Sequence, residues 1–229
     1  MIVRVRFPPS ETLVLSHGLG DDVTTWSALL PLLRQHRAVT WELRGHGANV
    51  RTAEAPADEY APELAIADLL DVVHRADDRV HLIGHSLGGY LSLAVALRRP
   101  ELVASLTLIA SGPGYRDPAA REAWNRSVEQ AILRMPVPPA AARLAHQHDS
   151  WVIDHVAELR APLLVVVGER DQRFHPGAAY LGRAVHGTVV RYVRGAGHHP
   201  QQTHPDEVAE AVLGHVAAAG VAANDEAQR

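Results

Sequence analysis

The sequence predicts an α/β protein with a mostly parallel central sheet of about seven strands, flanked by helices. Two patterns lead to this prediction. Short apolar runs rich in β-branched residues alternate with longer helical patterns along the 229 residues, as expected of strands joined by crossover helices. Several of these runs lead directly into a glycine, as buried parallel strands do where they turn into loops.

The strand pattern occurs in seven segments. The first, Ile2–Phe7, alternates apolar and polar residues and predicts an edge strand. The other six segments also predict strands, and the first two of them are expected to be buried: Thr12–Gly18, Ala38–Gly45, Val80–Ser86, Ser105–Gly112, Pro162–Gly168 and Thr188–Gly195.

Helical patterns lie between many of these strands, at Thr24–Gln35, Ala61–Ala76, Leu87–Arg99 and His204–Ala219. The pattern at Leu87–Arg99 is apolar on nearly all sides, so we expect a buried helix there. Residues 112–160 carry no strand pattern and read as two or three helices. We therefore expect a core made of residues 1–111 and 161–220, a short helical lid at 112–160 (the lid insertion) and a flexible polar tail at 221–229.

Composition and charge exclude several kinds of chemistry. Without cysteine there is no thiol nucleophile, disulfide or thiolate metal site, and without lysine there is no Schiff-base or P-loop lysine. A net charge of -4 gives no sign of a nucleic-acid or membrane partner. The start of the chain lacks a signal-peptide pattern, so we expect a cytoplasmic location. We expect no cofactor and no metal, and the pattern does not indicate an oligomeric state.

The segment Gly84-His85-Ser86-Leu87-Gly88 matches G-x-S-x-G at the junction of a predicted strand and a predicted helix. A nucleophile on such a turn needs small residues two positions before and after it, because larger side chains would collide. The helix that follows places its positive dipole end beside the hydroxyl. Ser86 is therefore the candidate nucleophile, and a glycine-rich turn without chemistry is the alternative.

A serine nucleophile needs a histidine base, and the base needs a carboxylate to orient it. Asp171 follows the predicted strand Pro162–Gly168, and His198 follows Thr188–Gly195. The carboxyl ends of parallel strands lie at one edge of the sheet, so both residues can meet Ser86 there. We expect neighbouring His199 to point elsewhere. Should Asp171 not be the acid, Asp149 and Asp154 are the next candidates.

Acyl transfer also needs donors for the oxyanion. The backbone N–H groups of Leu87, after the nucleophile, and of Leu19, in the loop after the Thr12–Gly18 strand, are the candidates. We expect His17 to brace that loop. In the lid insertion, Trp124 and Trp151 are candidates to bind substrate, with buried packing as the alternative role for each.

The motifs HGLG, RGHG, GHSLGG, GERD and GAGHHP follow one another from residue 16 to residue 200. In this order the chain resembles the α/β-hydrolase-fold serine hydrolases. The resemblance implies a Ser-His-Asp triad and a substrate class open among carboxylic esters, lactones and carbon–carbon bonds. Compared with this family, the segment before the HGLG strand and the lid insertion are short, so we expect a shallow or open pocket.

Cleavage of a small-molecule ester or lactone through an acyl-enzyme is the leading hypothesis. Carbon–carbon bond hydrolysis on the same triad is one alternative, and a non-catalytic receptor for a small ligand is another. A metalloenzyme is disfavoured, because cysteine is absent and no carboxylate has the H-E-x-x-H spacing to the candidate histidines, which are the pair His146 and His148 and the cluster of His198, His199 and His204.

Overall fold

A computed structural model describes residues 11–49 and 56–227, with side chains described as far as residue 221. Within these ranges six strands form one sheet: β1 (Thr12–Ser16), β2 (Arg37–Trp41), β3 (Val80–His85), β4 (Val103–Ile109), β5 (Leu163–Gly168) and β6 (Val189–Val193). Their order is β2-β1-β3-β4-β5-β6, and every neighbouring pair is parallel. These are six of the seven predicted strands, but the two at the edges of the sheet, β2 and β6, are mostly exposed or half-buried rather than buried. The predicted edge strand at Ile2–Phe7 lies outside the described residues.

Both faces of the four inner strands are buried, since successive strand residues point to opposite sides and pack into two different apolar clusters. Leu13 and Leu15 of β1 belong to one apolar cluster, whereas Val14 between them belongs to the other. In β3, Leu82 and Ile83 divide between the two clusters in the same way. This explains why the strands are nearly continuous apolar runs in the sequence.

Seven α-helices are described: α1 (Pro62–Ala76), α2 (Leu87–Arg98), α3 (Pro118–Ile132), α4 (Trp151–His155), α5 (His175–Ala184), α6 (Pro200–Thr203) and α7 (Pro205–Ala227). Helices α1, α2 and α5 contribute to one apolar cluster, and α7 contributes to the other. No helix in the described ranges has both the length and the apolar character needed to cross a bilayer.

Three helical features differ from the sequence prediction. The predicted helix Thr24–Gln35 is instead two 3-10 turns, Val23–Trp26 and Leu30–Leu33. Pro31 lies in the second turn and has no N–H to donate, which breaks a continuous helix. Helix α5 was not predicted, because its ten residues include Gly177 and Gly182. Helix α7 extends to Ala227, so the predicted tail is helical up to that residue, and its flexibility stays a prediction.

The buried helix and the helical insertion agree with the sequence pattern. Nine of the twelve residues of α2 are buried. Residues 112–160 contain no strand; they form α3, a 3-10 helix at Pro139–Ala145, α4, and a 3-10 turn at Val156–Glu158. This segment connects β4 to β5 and therefore begins at the carboxyl end of β4, on the side where parallel sheets place their ligand sites.

Candidate active site

Ser86 lies in a strained turn between β3 and α2. Its backbone angles are φ 50° and ψ -115°, a region that residues with a side chain rarely adopt. A Cβ on Gly84 would lie 2.4 Å from the carbonyl oxygen of Gly88, and a Cβ on Gly88 would lie 2.1 Å from that of Ser16. Both glycines are therefore required by the close packing of this turn against β1 and α2.

Hydrogen bonds from β4 hold the turn in place. The N–H of Ser86 donates to the carbonyl of Ile109 at 2.9 Å. The hydroxyl of Ser111 donates to the carbonyl of Ser86 at 2.7 Å. A strained backbone persists only where its surroundings fix it in this way, so the carboxyl end of β4 helps to hold the Ser86 side chain at the edge of the sheet.

Asp171 and His198 meet across the loops that follow β5 and β6. The Nδ1 of His198 donates to Oδ2 of Asp171 at 2.7 Å. Because a carboxylate only accepts, this contact assigns the proton to Nδ1 and leaves Nε2 with its lone pair. The ring of Phe174 stacks on the His198 ring, with centroids 4.9 Å apart and planes 27° apart. Carboxylate and phenyl ring together fix the imidazole.

Ser86, Asp171 and His198 line one cavity of about 720 Å³. This volume lies within the range of small-molecule sites, so the short lid insertion leaves more than the shallow pocket expected from the sequence. The structure has no hydrogen bond between the Ser86 hydroxyl and the His198 ring. Such contacts are often long without substrate and tighten in the complex.

The two predicted oxyanion donors, Leu19 and Leu87, line the same cavity. Leu87 is the first residue of α2, so its N–H has no partner inside the helix. Within the described part of the chain, neither amide donates to another group of the protein. Both N–H groups are therefore available for a substrate oxygen.

His17 braces the loop after β1, as predicted. Its Nδ1 donates to the carbonyl of Gly18 at 2.8 Å, and its Nε2 accepts from the N–H of Leu43 at 3.1 Å. One ring nitrogen donates and the other accepts, so the bonds require the neutral ring. Burial lowers the pKa of His17, which favours the same neutral state.

A second histidine, which the sequence analysis did not single out, holds the same loop. His46 of the RGHG motif accepts from the N–H of Gly20 through Nε2 at 2.9 Å and donates to the carbonyl of Arg44 through Nδ1 at 2.8 Å. Burial lowers the pKa of His46 to about 4, so the ring is neutral near pH 7. The RGHG motif was the available signal, and its role is to support the loop that carries Leu19.

The two candidate tryptophans of the lid insertion have different positions. Trp124 lines the cavity; its Nε1 donates to the carbonyl of Ala145 at 2.8 Å, and the guanidinium of Arg173 lies 4.3 Å from a ring centroid. Trp151 does not line this cavity. Its ring contacts Arg98 at 5.0 Å and stacks on His155 at 4.7 Å. The prediction that Trp151 binds substrate is therefore corrected to a packing role.

His199 contacts a different carboxylate from the one that His198 contacts. Its Nε2 lies 3.3 Å from an oxygen of Asp21, in the loop after β1. The alternative acids have partners inside the lid insertion: Asp149 accepts from the N–H of Trp151 at 2.9 Å, and Asp154 is bonded to the hydroxyl of Ser150 at 2.6 Å. Asp171 is thus the carboxylate that contacts His198.

Known proteins share both the sequence pattern and the fold. A dihydrolipoyllysine-residue acetyltransferase component of an acetoin cleaving system from Pseudomonas putida is 41% identical over 184 residues, which are 75% of this chain and 48% of that protein. A Rhizobium rhizogenes protein named "Putative carbamate hydrolase RutD" is 38% identical over 104 residues, which are 44% of this chain and 38% of that protein. The chain thus spans about half or less of the length of these relatives.

The enol-lactonase from Burkholderia xenovorans has a crystal structure that matches this one with a TM-score of 0.76, at 19% identity and with 92% of each chain covered. At this identity the likeness concerns the fold alone. The sequence model of the Alpha/beta hydrolase family matches residues 13–211, which extend from the second residue of β1 into α7. The chain therefore belongs to the alpha/beta hydrolase family.

Proposed function

We propose that the protein is a serine hydrolase that cleaves a small carboxylic ester or lactone through an acyl-enzyme. One observation carries the proposal: His198, oriented by its 2.7 Å bond to Asp171, borders the same cavity as Ser86 on its strained turn. A nucleophile, a base and an orienting carboxylate in one cavity are the parts that this chemistry needs.

In the proposed mechanism the Oγ of Ser86 attacks the substrate carbonyl carbon while Nε2 of His198 takes the hydroxyl proton. The N–H groups of Leu19 and Leu87 stabilise the oxyanion of the tetrahedral intermediate. Its collapse breaks the bond to the leaving oxygen, which receives the proton from His198. Water then attacks the acyl group with His198 as base, and the acid leaves as Ser86 regains its proton.

The cavity lining supports a substrate with an apolar part. Leu19, Trp124, Val128 and Phe174 line it beside the candidate catalytic groups. Apolar walls with few polar groups are typical of sites for small organic ligands. We assign residues 112–160 as a lid, because α3 supplies Trp124 and Val128 to one side of the cavity.

A carbamate is the second candidate substrate class, favoured by the likeness to the Rhizobium rhizogenes protein. A carbamate carbonyl reacts with the same nucleophile and oxyanion donors, so the site geometry serves both classes. Carbamates differ from esters in their leaving group and in the stability of the acyl-enzyme they form. A substrate panel therefore distinguishes the two classes.

The test combines active-site labelling with a substrate panel. A fluorophosphonate should label the wild type at Ser86 with one adduct per chain, measured by intact and peptide mass spectrometry. Aryl esters of increasing acyl length, lactones, carbamates and vinylogous diketones then define the reaction by their kcat/KM values. Ser86→Ala should abolish both labelling and turnover, whereas Ser150→Ala, on the surface of the lid insertion, should retain both.

Three results would contradict the proposal. Labelling that persists in Ser86→Ala would place the nucleophile elsewhere. Tight binding of a panel member without turnover by the wild type would favour the non-catalytic receptor, and turnover confined to diketones would favour carbon–carbon cleavage.

A further inference from the structure

Asp21, His85 and His199 form a second group of polar side chains on the cavity, here called the Asp-His-His cluster. All three border the cavity, but none of them belongs to the proposed triad. The Oδ2 of Asp21 lies 3.2 Å from Nδ1 of His85 and 3.3 Å from Nε2 of His199. One ligand atom from each residue lies within 4.8 Å of the other two.

The protonation of His85 follows from its other contact. Its Nε2 lies 2.9 Å from the carbonyl oxygen of His198. A carbonyl only accepts, so Nε2 carries the hydrogen, and in the neutral ring Nδ1 has a bare lone pair. That lone pair faces Oδ2 of Asp21, which is also an acceptor. Neither atom has a hydrogen-bond partner among the described residues, and His85 is only 1% exposed.

Two acceptor atoms at this distance repel each other unless a cation lies between them. In the neutral His85 ring the carbonyl of His198 holds the hydrogen on Nε2, so this ring has no hydrogen to place between its Nδ1 and Oδ2 of Asp21. An anion and a bare imidazole nitrogen are the forms that bind metal ions.

Two of the three ligand spacings fit a tetrahedral zinc ion, and the third, between the ring nitrogens of His85 and His199, is at most 4.8 Å. With bonds of about 2.0–2.1 Å, two ligand atoms of a tetrahedral Zn²⁺ site lie about 3.3 Å apart. The separations of 3.2 and 3.3 Å at Oδ2 of Asp21 match this value. Gly18 leaves space beside the cluster, since a Cβ there would lie 2.9 Å from Nδ1 of His85 and 3.2 Å from Oδ2 of Asp21.

We propose that the Asp-His-His cluster binds one divalent transition-metal ion of the Zn²⁺ type, with Oδ2 of Asp21, Nδ1 of His85 and Nε2 of His199 as ligands. Two imidazoles and one carboxylate suit Zn²⁺ and disfavour Mg²⁺ and Ca²⁺, which prefer oxygen ligands. The proposed triad contributes no ligand, so the site does not depend on the proposed hydrolase activity.

Metal binding would also act on the loop that holds His198. His85 links the cluster to the backbone of His198 through the 2.9 Å contact of its Nε2. A metal on Nδ1 would fix the orientation of the His85 ring and would make its Nε2–H a stronger donor. The converse is general: a hydrogen bond from the second ring nitrogen orients a metal-bound histidine. The ion would therefore stiffen the loop after β6.

Calorimetric titration of the metal-free full chain with ZnCl₂ at pH 7 tests the proposal directly. We expect one equivalent to bind, and Co²⁺ at the same site should give the visible absorption bands of a tetrahedral N/O site. His199→Gln and Asp21→Asn should each weaken Zn²⁺ binding by at least about 10-fold, since losing a ligand costs no less than losing an outer partner.

Matched histidine variants locate the site. His204→Gln changes an imidazole in the same region that is bonded to Thr203 rather than to the cluster, and His198→Gln removes the base of the proposed triad. Both should bind Zn²⁺ as tightly as the wild type. Circular dichroism confirms that each variant folds, and Mg²⁺ should give no heat of binding.

Three results would overturn the proposal. Wild-type affinity in His199→Gln would show that the cluster is not the site. Loss of binding in His198→Gln with retention in His199→Gln would place the ion on the triad histidine. No Zn²⁺ binding, together with two protons on the His85 ring by NMR at pH 7, would show that a proton fills the gap.

Discussion

At the residue scale, the orientation of His198 depends on neighbours that act in different ways. Asp171 accepts from Nδ1 and so fixes which nitrogen is free, whereas Phe174 packs flat on the ring and limits its rotation. A wrong tautomer would place a hydrogen where the base needs a lone pair. The carboxylate should thus matter for the rate far more than for the fold.

Asp171→Asn should lower kcat on an aryl ester by about 10⁴-fold, the loss found for the corresponding change in a well-studied triad. The amide keeps the shape of the side chain, so the Tm should stay close to that of the wild type. Steady-state kinetics and thermal unfolding measure both quantities. Near-normal turnover would show that another carboxylate, with Asp149 and Asp154 first to be examined, orients the base.

The sequence reveals single residues when a motif or chain order fixes their place. Ser86 has a pentapeptide pattern, and Asp171 and His198 follow consecutive strands of one parallel sheet, so their proximity could be predicted. Trp151 has no such anchor, because the side of the lid insertion that it faces depends on packing against Arg98. Asp21 meets its partners only when the loops after β1 and β6 fold against the end of β3, and no sequence pattern predicts this contact.

At the element scale, the loop after β1 is held by the loop after β2. The N–H of Gly20 donates to Nε2 of His46, one residue beyond the proposed donor Leu19. Removing the imidazole leaves this N–H without its partner and frees the loop that presents the oxyanion donor. His46 is therefore a positioning residue in the proposed mechanism.

His46→Ala should lower the free energy of unfolding by about 1–3 kcal/mol, the usual cost of an unpaired buried donor. If the loop positions Leu19, kcat should fall more than KM rises, because the oxyanion forms only after binding. Urea unfolding and steady-state kinetics check this. His148→Ala, an exposed histidine of the lid insertion, is the control and should change neither. If His46→Ala is destabilised but its kcat is unchanged, His46 contributes to stability and does not position the oxyanion loop.

Elements were predicted most reliably where burial requires an apolar residue at nearly every position. Strands of a two-sided sheet must be apolar throughout, and α2 must be apolar on nearly all sides, so both stand out in the sequence. Short elements carry weaker signals: Pro31 turns a helical pattern into 3-10 turns, and α5 has only ten residues, including Gly177 and Gly182. Their backbone is set by packing on the sheet rather than by propensity.

Helix α3 offers a test of the proposed lid, because Ala131 lines the cavity whereas Gln130 beside it is exposed. Ala131→Phe adds a ring to the cavity wall, so kcat/KM should fall at least about 10-fold for long acyl esters and change little for acetyl esters. Gln130→Phe adds the same ring outside the cavity and should leave the acyl preference unchanged. Equal loss for all esters in Ala131→Phe would indicate distortion of α3 instead.

At the scale of the whole molecule, buried neutral histidines tie the loops at the carboxyl edge of the sheet together. His17 and His46 each donate through one nitrogen and accept through the other. Burial lowers the pKa of His46 and that of His85 to about 4, below the ordinary value of 6.5. Between pH 6.5 and about 4 these rings bind a proton in the unfolded chain but stay neutral in the folded protein. Acid should therefore favour unfolding.

The direction of this effect follows from the lowered pKa. The stabilisation by His46 is complete above pH 6.5 and is lost as the pH falls toward about 4. In that window each such histidine contributes a slope of about 1.4 kcal/mol per pH unit.

Urea unfolding at pH 7, 6 and 5, with a chelator to remove metal, should show stability falling as the pH falls. At pH 7 the free energy of unfolding of His46→Ala should be lower than that of the wild type. On acidification to pH 5 it should fall by about 2 kcal/mol less than that of the wild type. Parallel pH curves for the two proteins would show that His46 does not carry this coupling.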